Sequence, residues 1–204
     1  DLQGRECFED GDGGPPRLLG EVVPYRLAHE VLPSLGIDAK RTGVILAGDF
    51  YSVPGLDMRG GSGNVDGVWQ AFAQCFKWVA GVAGNHDLFG DRVHPTSRLA
   101  PNAHYLDASD VTLDGLRIAG LGGILGNPRR PHRRTYEDYR LGMETLAEQN
   151  PDILVTHDGP DSADSTMKGS PLIRDLLERC KPPFVIRGHC HWPRPLTVLR
   201  GGTQ

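Results

Sequence analysis

Short apolar runs, each closed by a turn residue and then a metal-binding side chain, recur along this chain. Residues 44–47 run into Gly48-Asp49, and residues 79–83 into Gly84-Asn85-His86-Asp87. Residues 153–155 lead through Thr156 to His157, and residues 184–186 pass Arg187 to reach Gly188-His189-Cys190-His191. An apolar run of this length between turn residues reads as a buried strand. In open α/β sheets, ligands gather at the carboxyl ends of such strands. Four endings of this kind would bring Asp, Asn and His to one edge, a concentration that packing alone does not explain.

The pattern between these runs predicts helices and a meander. Residues 17–35 carry Leu18, Leu19, Val22, Val23, Leu27, Val31 and Leu32 at helical spacing, with Pro24 predicting a kink or a late start. A glycine-rich loop at 53–67, containing Gly60-Gly61-Ser62-Gly63, precedes a helix at 65–76 with Val68, Phe72 and Phe76 on one face. Residues 104–107, 110–113 and 116–121 read as short strands, and Asp114-Gly115 as a hairpin turn. A basic loop at 128–134 follows, then a helix at 135–148 with Thr135 as N-cap and Asp138 three residues later. Ser170 caps a helix at 171–180 with proline in its first turn, and residues 184–187 and 196–199 read as strands. Strand–helix alternation at both ends around a β-meander predicts an α/β (α+β) fold, with two sheets flanked by helices. The 204 residues suit one domain, 1–204, and contain no internal repeat or linker.

Composition narrows the function classes. With 38% hydrophobic and 24% charged residues the chain fits a soluble globular protein. A formal net charge of −4 gives no support to a general nucleic-acid or membrane surface. No apolar stretch approaches the roughly 20 residues of a membrane helix. The chain opens at Asp1 with no strand ahead of it and stops at Gln204 after a Gly-Gly turn, so both ends are expected to be truncated. Cys7, Cys75, Cys180 and Cys190 form no CxxC pair, which points to reduced thiols and a cytoplasmic protein.

Each strand ending carries its own chemistry. Asp49 follows a glycine that permits a tight turn, and its two oxygens could each bind a cation; a capping or turn aspartate is the alternative. Asn85 offers a carbonyl oxygen without charge. His86 would point elsewhere and could handle protons, with Asp87 orienting its imidazole; a polar turn is the alternative. His189 and His191 point the same way in an extended backbone, or serve adjacent metals around a turn. Cys190 between them reads as a packing residue, a metal ligand being the alternative. His29, His94, His104 and His132 lack a strand-end context and read as surface or structural residues. Rival signatures fail: the glycines of 120–126 miss dinucleotide spacing by one residue, and Pro33 stands where a zinc protease would place a histidine after His29-Glu30. Residues 61–64 form no nucleophile elbow, and no phosphate loop occurs.

Asp1-Leu2-Gln3-Gly4, Gly48-Asp49, Gly84-Asn85-His86-Asp87, His157 and Gly188-His189-Cys190-His191 resemble the five ordered blocks of the calcineurin-like metallophosphoesterase superfamily. The resemblance spans nearly the whole chain. It implies a four-layer αββα sandwich, two mixed β-sheets flanked by helices, with a two-metal site at strand ends. Asp49 would bridge the two divalent ions (Mn, Fe, Zn or Ni); Asn85, His157 and His189 would hold one, Asp1 and His191 the other. His86 matches the proton donor to the leaving oxygen, and Asp87 its partner. Gln3 stands where the family has the histidine of Asp-x-His, and a neutral amide is a poorer ligand for a borderline metal. The first metal site is therefore expected to be weak, altered in preference or completed by water.

The implied reaction is hydrolysis of a small phosphomonoester, phosphodiester or nucleotide by a metal-bridging hydroxide, without a covalent enzyme intermediate. A catalytically impaired scaffold or interaction protein is the alternative, with Gln3 as its support. Phe50-Tyr51-Ser52 in place of Asp-Arg-Gly, and Asp87 in place of glutamate, count against a phosphoprotein phosphatase. Arg129, Arg130, Arg133 and Arg134 are candidates for phosphate oxygens, a solvated basic loop being the alternative. Phe50, Tyr51 and Trp192 could line a pocket, though packing roles fit them as well.

Overall fold

The computed structural model describes residues 2–6, 16–56, 61–95, 99–162, 164 and 166–204. The chain falls into two compact units, one made of Asp1–Ile45, Asp49–Ala80 and His86–His104, the other of Leu46–Gly48, Gly81–Asn85 and Tyr105–Gln204.

In the first unit, helix α1 (Leu19–Arg26) starts where the Glu21 carboxylate accepts the backbone N–H of Leu18 at 2.9 Å. Pro24 therefore neither delays nor ends the helix. It removes one rung of the hydrogen-bond ladder, and a widened π turn, Leu27–Val31, follows before α2 (Leu32–Ser34). Helix α3 (Asp66–Cys75) buries Val68 and Phe72, with Phe76 just past its end, the face expected from their spacing. Gly20 of α1 sits so close that a Cβ there would lie 2.6 Å from Val68. The strands are β1 (Gly43–Leu46), β2 (Gly63–Asn64), β3 (Trp78–Gly81), β4 (Asp87–Leu88) and β5 (Ala103–Tyr105). A three-stranded sheet runs in the order β1-β3-β5; Leu46, Gly81 and Tyr105 at its strand ends count with the second unit. Within the glycine-rich loop, β2 pairs in parallel with β4, Gly63 opposite Asp87 and Asn64 opposite Leu88.

In the second unit, β6 (Ser109–Leu113) and β7 (Leu116–Leu121) form the expected hairpin. Asp114 and Gly115 take φ of 51° and 83°, the left-handed pair that matches strand twist in a two-residue turn. Strand β8 (Ile124–Leu125) pairs in parallel with β9 (Arg133–Arg134), so the expected basic loop ends in a short strand. Helix α4 (Tyr136–Glu148) begins at Thr135, whose hydroxyl accepts the Asp138 N–H at 3.1 Å. Strand β10 (Ile153–Thr156), helix α5 (Pro171–Cys180), capped by Ser170 onto the Ile173 N–H, and β11 (Phe184–Arg187) complete the unit. Its sheet runs β11-β10-β7-β6, with β7, β10 and β11 parallel and β6 antiparallel. Tyr139, Met143 and Leu146 of α4 and Ile173, Leu176 and Leu177 of α5 bury against Ala119, Leu121 and Leu154.

The strand expected at 196–199 does not form. Gln204 already holds the outer edge of β11, accepting from the Val185 N–H at 2.7 Å and donating to the Pro183 carbonyl at 3.1 Å. Leu199 is buried, whereas Leu196 and Val198 face solvent. The architecture is mixed α/β, as the alternation predicted. Among the described residues no helix is long and apolar enough to cross a membrane.

Candidate metal centre

The second unit gathers Asn85, His157 and His189. His157 follows β10 and is fully buried, its Nδ1 2.7 Å from the Ala47 carbonyl. A carbonyl only accepts, so Nδ1 carries the proton and Nε2 of the neutral ring offers a lone pair. That nitrogen faces Oδ1 of Asn85, a second acceptor, at 3.3 Å. Two acceptors so close are reconciled by a shared cation, by a second proton, or by an Asn85 amide turned so that its N–H donates. The His189 ring lies edge-on to His157, centroids 5.2 Å apart, with a ligand nitrogen of each within 4.8 Å of the other. The Gly188 N–H donates to the His157 carbonyl at 3.1 Å and ties the two strand-end turns together. His189 itself has φ of 63°, left-handed backbone that a side chain adopts at a cost. Gly48 has φ of 84°, and a Cβ there would lie 2.3 Å from the Gly84 nitrogen, so the backbones meet at a spacing only glycine allows. This donor set, imidazole nitrogens with an amide oxygen, suits a borderline divalent metal.

The first unit holds Asp49, His86 and Asp87. Asp87 is fully buried, and its carboxylate accepts the backbone N–H groups of Asp49 and Phe50 at 2.8 Å and of Tyr51 at 3.3 Å. It thereby shapes the turn that presents Asp49, whose φ is 57°. Asp49 Oδ1 accepts the His86 N–H at 3.1 Å. The His86 imidazole places Nδ1 2.6 Å from the Gly61 carbonyl, so Nδ1 donates and Nε2 is left outside that bond. Gly61, on the glycine-rich loop, stands where Asp87 was expected as the imidazole's partner. Gln3 is exposed and its amide nitrogen reaches the Tyr51 carbonyl at 3.4 Å. Asp1 lies outside the described residues.

His191 is exposed; Cys190 is half-buried, its N–H on the Gly188 carbonyl at 2.8 Å. Arg129 and Arg130 are exposed in the loop before β9, and Arg133 is half-buried. Arg134 pairs with Asp107 and donates to the Gly122 carbonyl at 3.1 Å. Phe50 belongs to the core, and Tyr51 packs over Gly63, where a Cβ would lie 2.2 Å from its ring.

Two residues near the centre carry no motif signal. Asp158, directly after His157, is buried and accepts the Leu125 N–H at 3.1 Å. Burial first, and then the Asp158 charge, push the Tyr139 phenol well above its ordinary value. Arg187 precedes Gly188; burial lowers its guanidinium pKa, opposed by Cys190 and Asp158. Their only trace in the sequence is adjacency to a histidine block.

Residues 23–193 match the family model of the calcineurin-like phosphoesterases. The chain belongs to the calcineurin-like phosphoesterase family. Metal-dependent hydrolysis of phosphoesters is the chemistry of that family. Among solved structures, TT1561 of Thermus thermophilus is similar in fold, with a TM-score of 0.54 and 16% identity over 82% of this chain and 76% of that one. Another matches with a TM-score of 0.51 and 16% identity over 68% of this chain, which spans only 60% of that structure's length. No curated protein sequence matches the chain.

Proposed function

We propose that this calcineurin-like phosphoesterase hydrolyses a small phosphoester or nucleotide at a two-cation site. Asn85, His157 and His189 would hold one ion, Asp49 would serve both, and His191 with Asp1 and Gln3 would serve the other. The observation that carries the reading is the gathering of His157, Asn85 and His189, with the Asn85 amide 3.3 Å from His157 Nε2 and the two rings 5.2 Å apart. Asp49 lies two residues beyond Ala47 in the chain, which supports its place beside them. Bound there, divalent ions supply Lewis acidity, acidifying water and polarising the phosphoryl oxygens.

The chain's own residues do the rest. His86 protonates the leaving oxygen from Nε2, its Nδ1–H fixed on Gly61. Asp87 holds the Asp49 turn by its three backbone bonds. Arg129 and Arg130 are the arginines exposed to meet an anion, whereas Arg134 is engaged with Asp107. Residues 1–204 act as one catalytic domain, since the family model runs through stretches of both units. Free thiols at Cys75, Cys180 and Cys190 support a cytoplasmic setting.

The test is calorimetric uptake of Mn²⁺ or Ni²⁺, followed by hydrolysis of nitrophenyl phosphate and bis-nitrophenyl phosphate. Uptake with turnover is expected. Full loading without turnover on either ester would turn the assignment to a scaffold, and absence of uptake would end it.

A further inference from the structure

Arg187 is the last residue of β11, one position before Gly188. Its guanidinium donates to the carbonyls on both sides of His189: to Gly188 at 3.1 Å and to Cys190. The same group lies over the Trp192 ring, 3.9 Å from its centroid. The Trp192 indole N–H in turn donates to the Lys168 carbonyl at 2.6 Å, reaching the segment before α5. Gly159 makes the room: a Cβ there would stand 2.4 Å from Cδ of Arg187. His189, between the two clamped carbonyls, holds its left-handed φ of 63°.

We propose that Arg187 is a positioning residue, a cationic clamp that fixes the 188–192 turn so that His189 and His191 point at the cation. This rests on the proposed role of His189 as a ligand. Both carbonyls are held by one guanidinium nitrogen, Nη1, while the planar group covers the indole. A lysine ammonium could donate to the same carbonyls but offers no flat face to the ring. The clamp opposes the natural drift of a non-glycine residue out of left-handed backbone.

The experiment compares wild type, Arg187→Met, Arg187→Lys and Gly159→Ala by three measurements. Mn²⁺ affinity is read by calorimetry, the visible band of bound Co²⁺ by absorption, and amide exchange over 188–192 by mass spectrometry of the metal-free proteins. Arg187→Met is expected to weaken Mn²⁺ about 10–100-fold, the range seen when a ligand loses its support. It should also shift the Co²⁺ band and speed exchange in this turn at least about tenfold. Arg187→Lys should fall between. Gly159→Ala, which keeps the arginine but crowds it out, should reproduce the methionine variant and covers the case in which that variant does not fold. Wild-type Mn²⁺ affinity, Co²⁺ spectrum and exchange rates in Gly159→Ala and Arg187→Lys would overturn the clamp and leave the two-cation reading standing. If wild type takes up no metal while exchange still accelerates in the variants, the two-cation reading fails and the clamp on the turn remains.

Discussion

The turn organised by Asp87 and the turn organised by Arg187 solve one problem with opposite charges. A chain leaving a strand has backbone groups without ladder partners, and one well-placed ion can collect several. Asp87 gathers N–H groups of residues 49–51; Arg187 gathers carbonyls of Gly188 and Cys190. They differ in burial. The Asp87 carboxylate has no exposed surface, so its removal strands donors that water cannot reach. Arg187 is half-buried, and its loss is felt in the aim of the turn more than in folding. Charge sign follows from which backbone group is orphaned, and burial decides whether the ion serves stability or geometry.

The largest effect is expected from Asp87→Ala. Leaving three backbone donors without their acceptor should cost about 3–5 kcal/mol of stability in urea denaturation. A loss below about 1 kcal/mol would erase the contrast with Arg187. His86→Ala, in the same turn, should keep metal uptake yet slow hydrolysis of poor leaving groups by about 10²–10⁴-fold, with a smaller loss on nitrophenyl esters. Equal loss on both esters would remove His86 from proton transfer. Gly48→Ala should destabilise by about 2–3 kcal/mol, because a Cβ would stand 2.3 Å from Gly84 nitrogen at φ of 84°. A thermal melt matching wild type would show that the strand ends can part. The smallest effects separate the arginines. Arg134→Ala should cost about 1–2 kcal/mol by removing its pair with Asp107 and its bond to the Gly122 carbonyl, whereas Arg129→Ala should leave stability within about 0.5 kcal/mol and raise KM. The reverse pattern would exchange their roles.

Where structure is set locally, it was legible in the sequence. Leu116–Leu121, Ile153–Thr156, Pro171–Cys180 and Phe184–Arg187 have the bounds their patterns predicted, because caps, turn glycines and short apolar runs act over a few residues. Residues 196–199 have the same apolar look and form no strand, since a distant backbone, Gln204, occupies the edge they would need. Pro24 reads as a kink or a late start, yet the helix begins before it and the chain widens into a π turn and continues. The site divides in the same way. Residue types and their order pointed to Asp49, Asn85, His157 and His189, but partners made across the fold left no mark. Nothing in the spacing of Gly61 foretells its bond to His86, and nothing around Asp87 foretells that its carboxylate shapes the Asp49 turn. Asp158 and Arg187 are ordinary residues until the fold brings backbone to them.

His189 in left-handed backbone has a consequence for anyone who would make this protein hardier. Glycine adopts that conformation freely, so His189→Gly relieves strain of about 1 kcal/mol or more, set against the entropy glycine carries in the unfolded chain. A screen rewarding heat resistance alone would be drawn towards the very substitution that deletes the imidazole. Durability and the proposed metal binding pull in opposite directions at this one torsion angle.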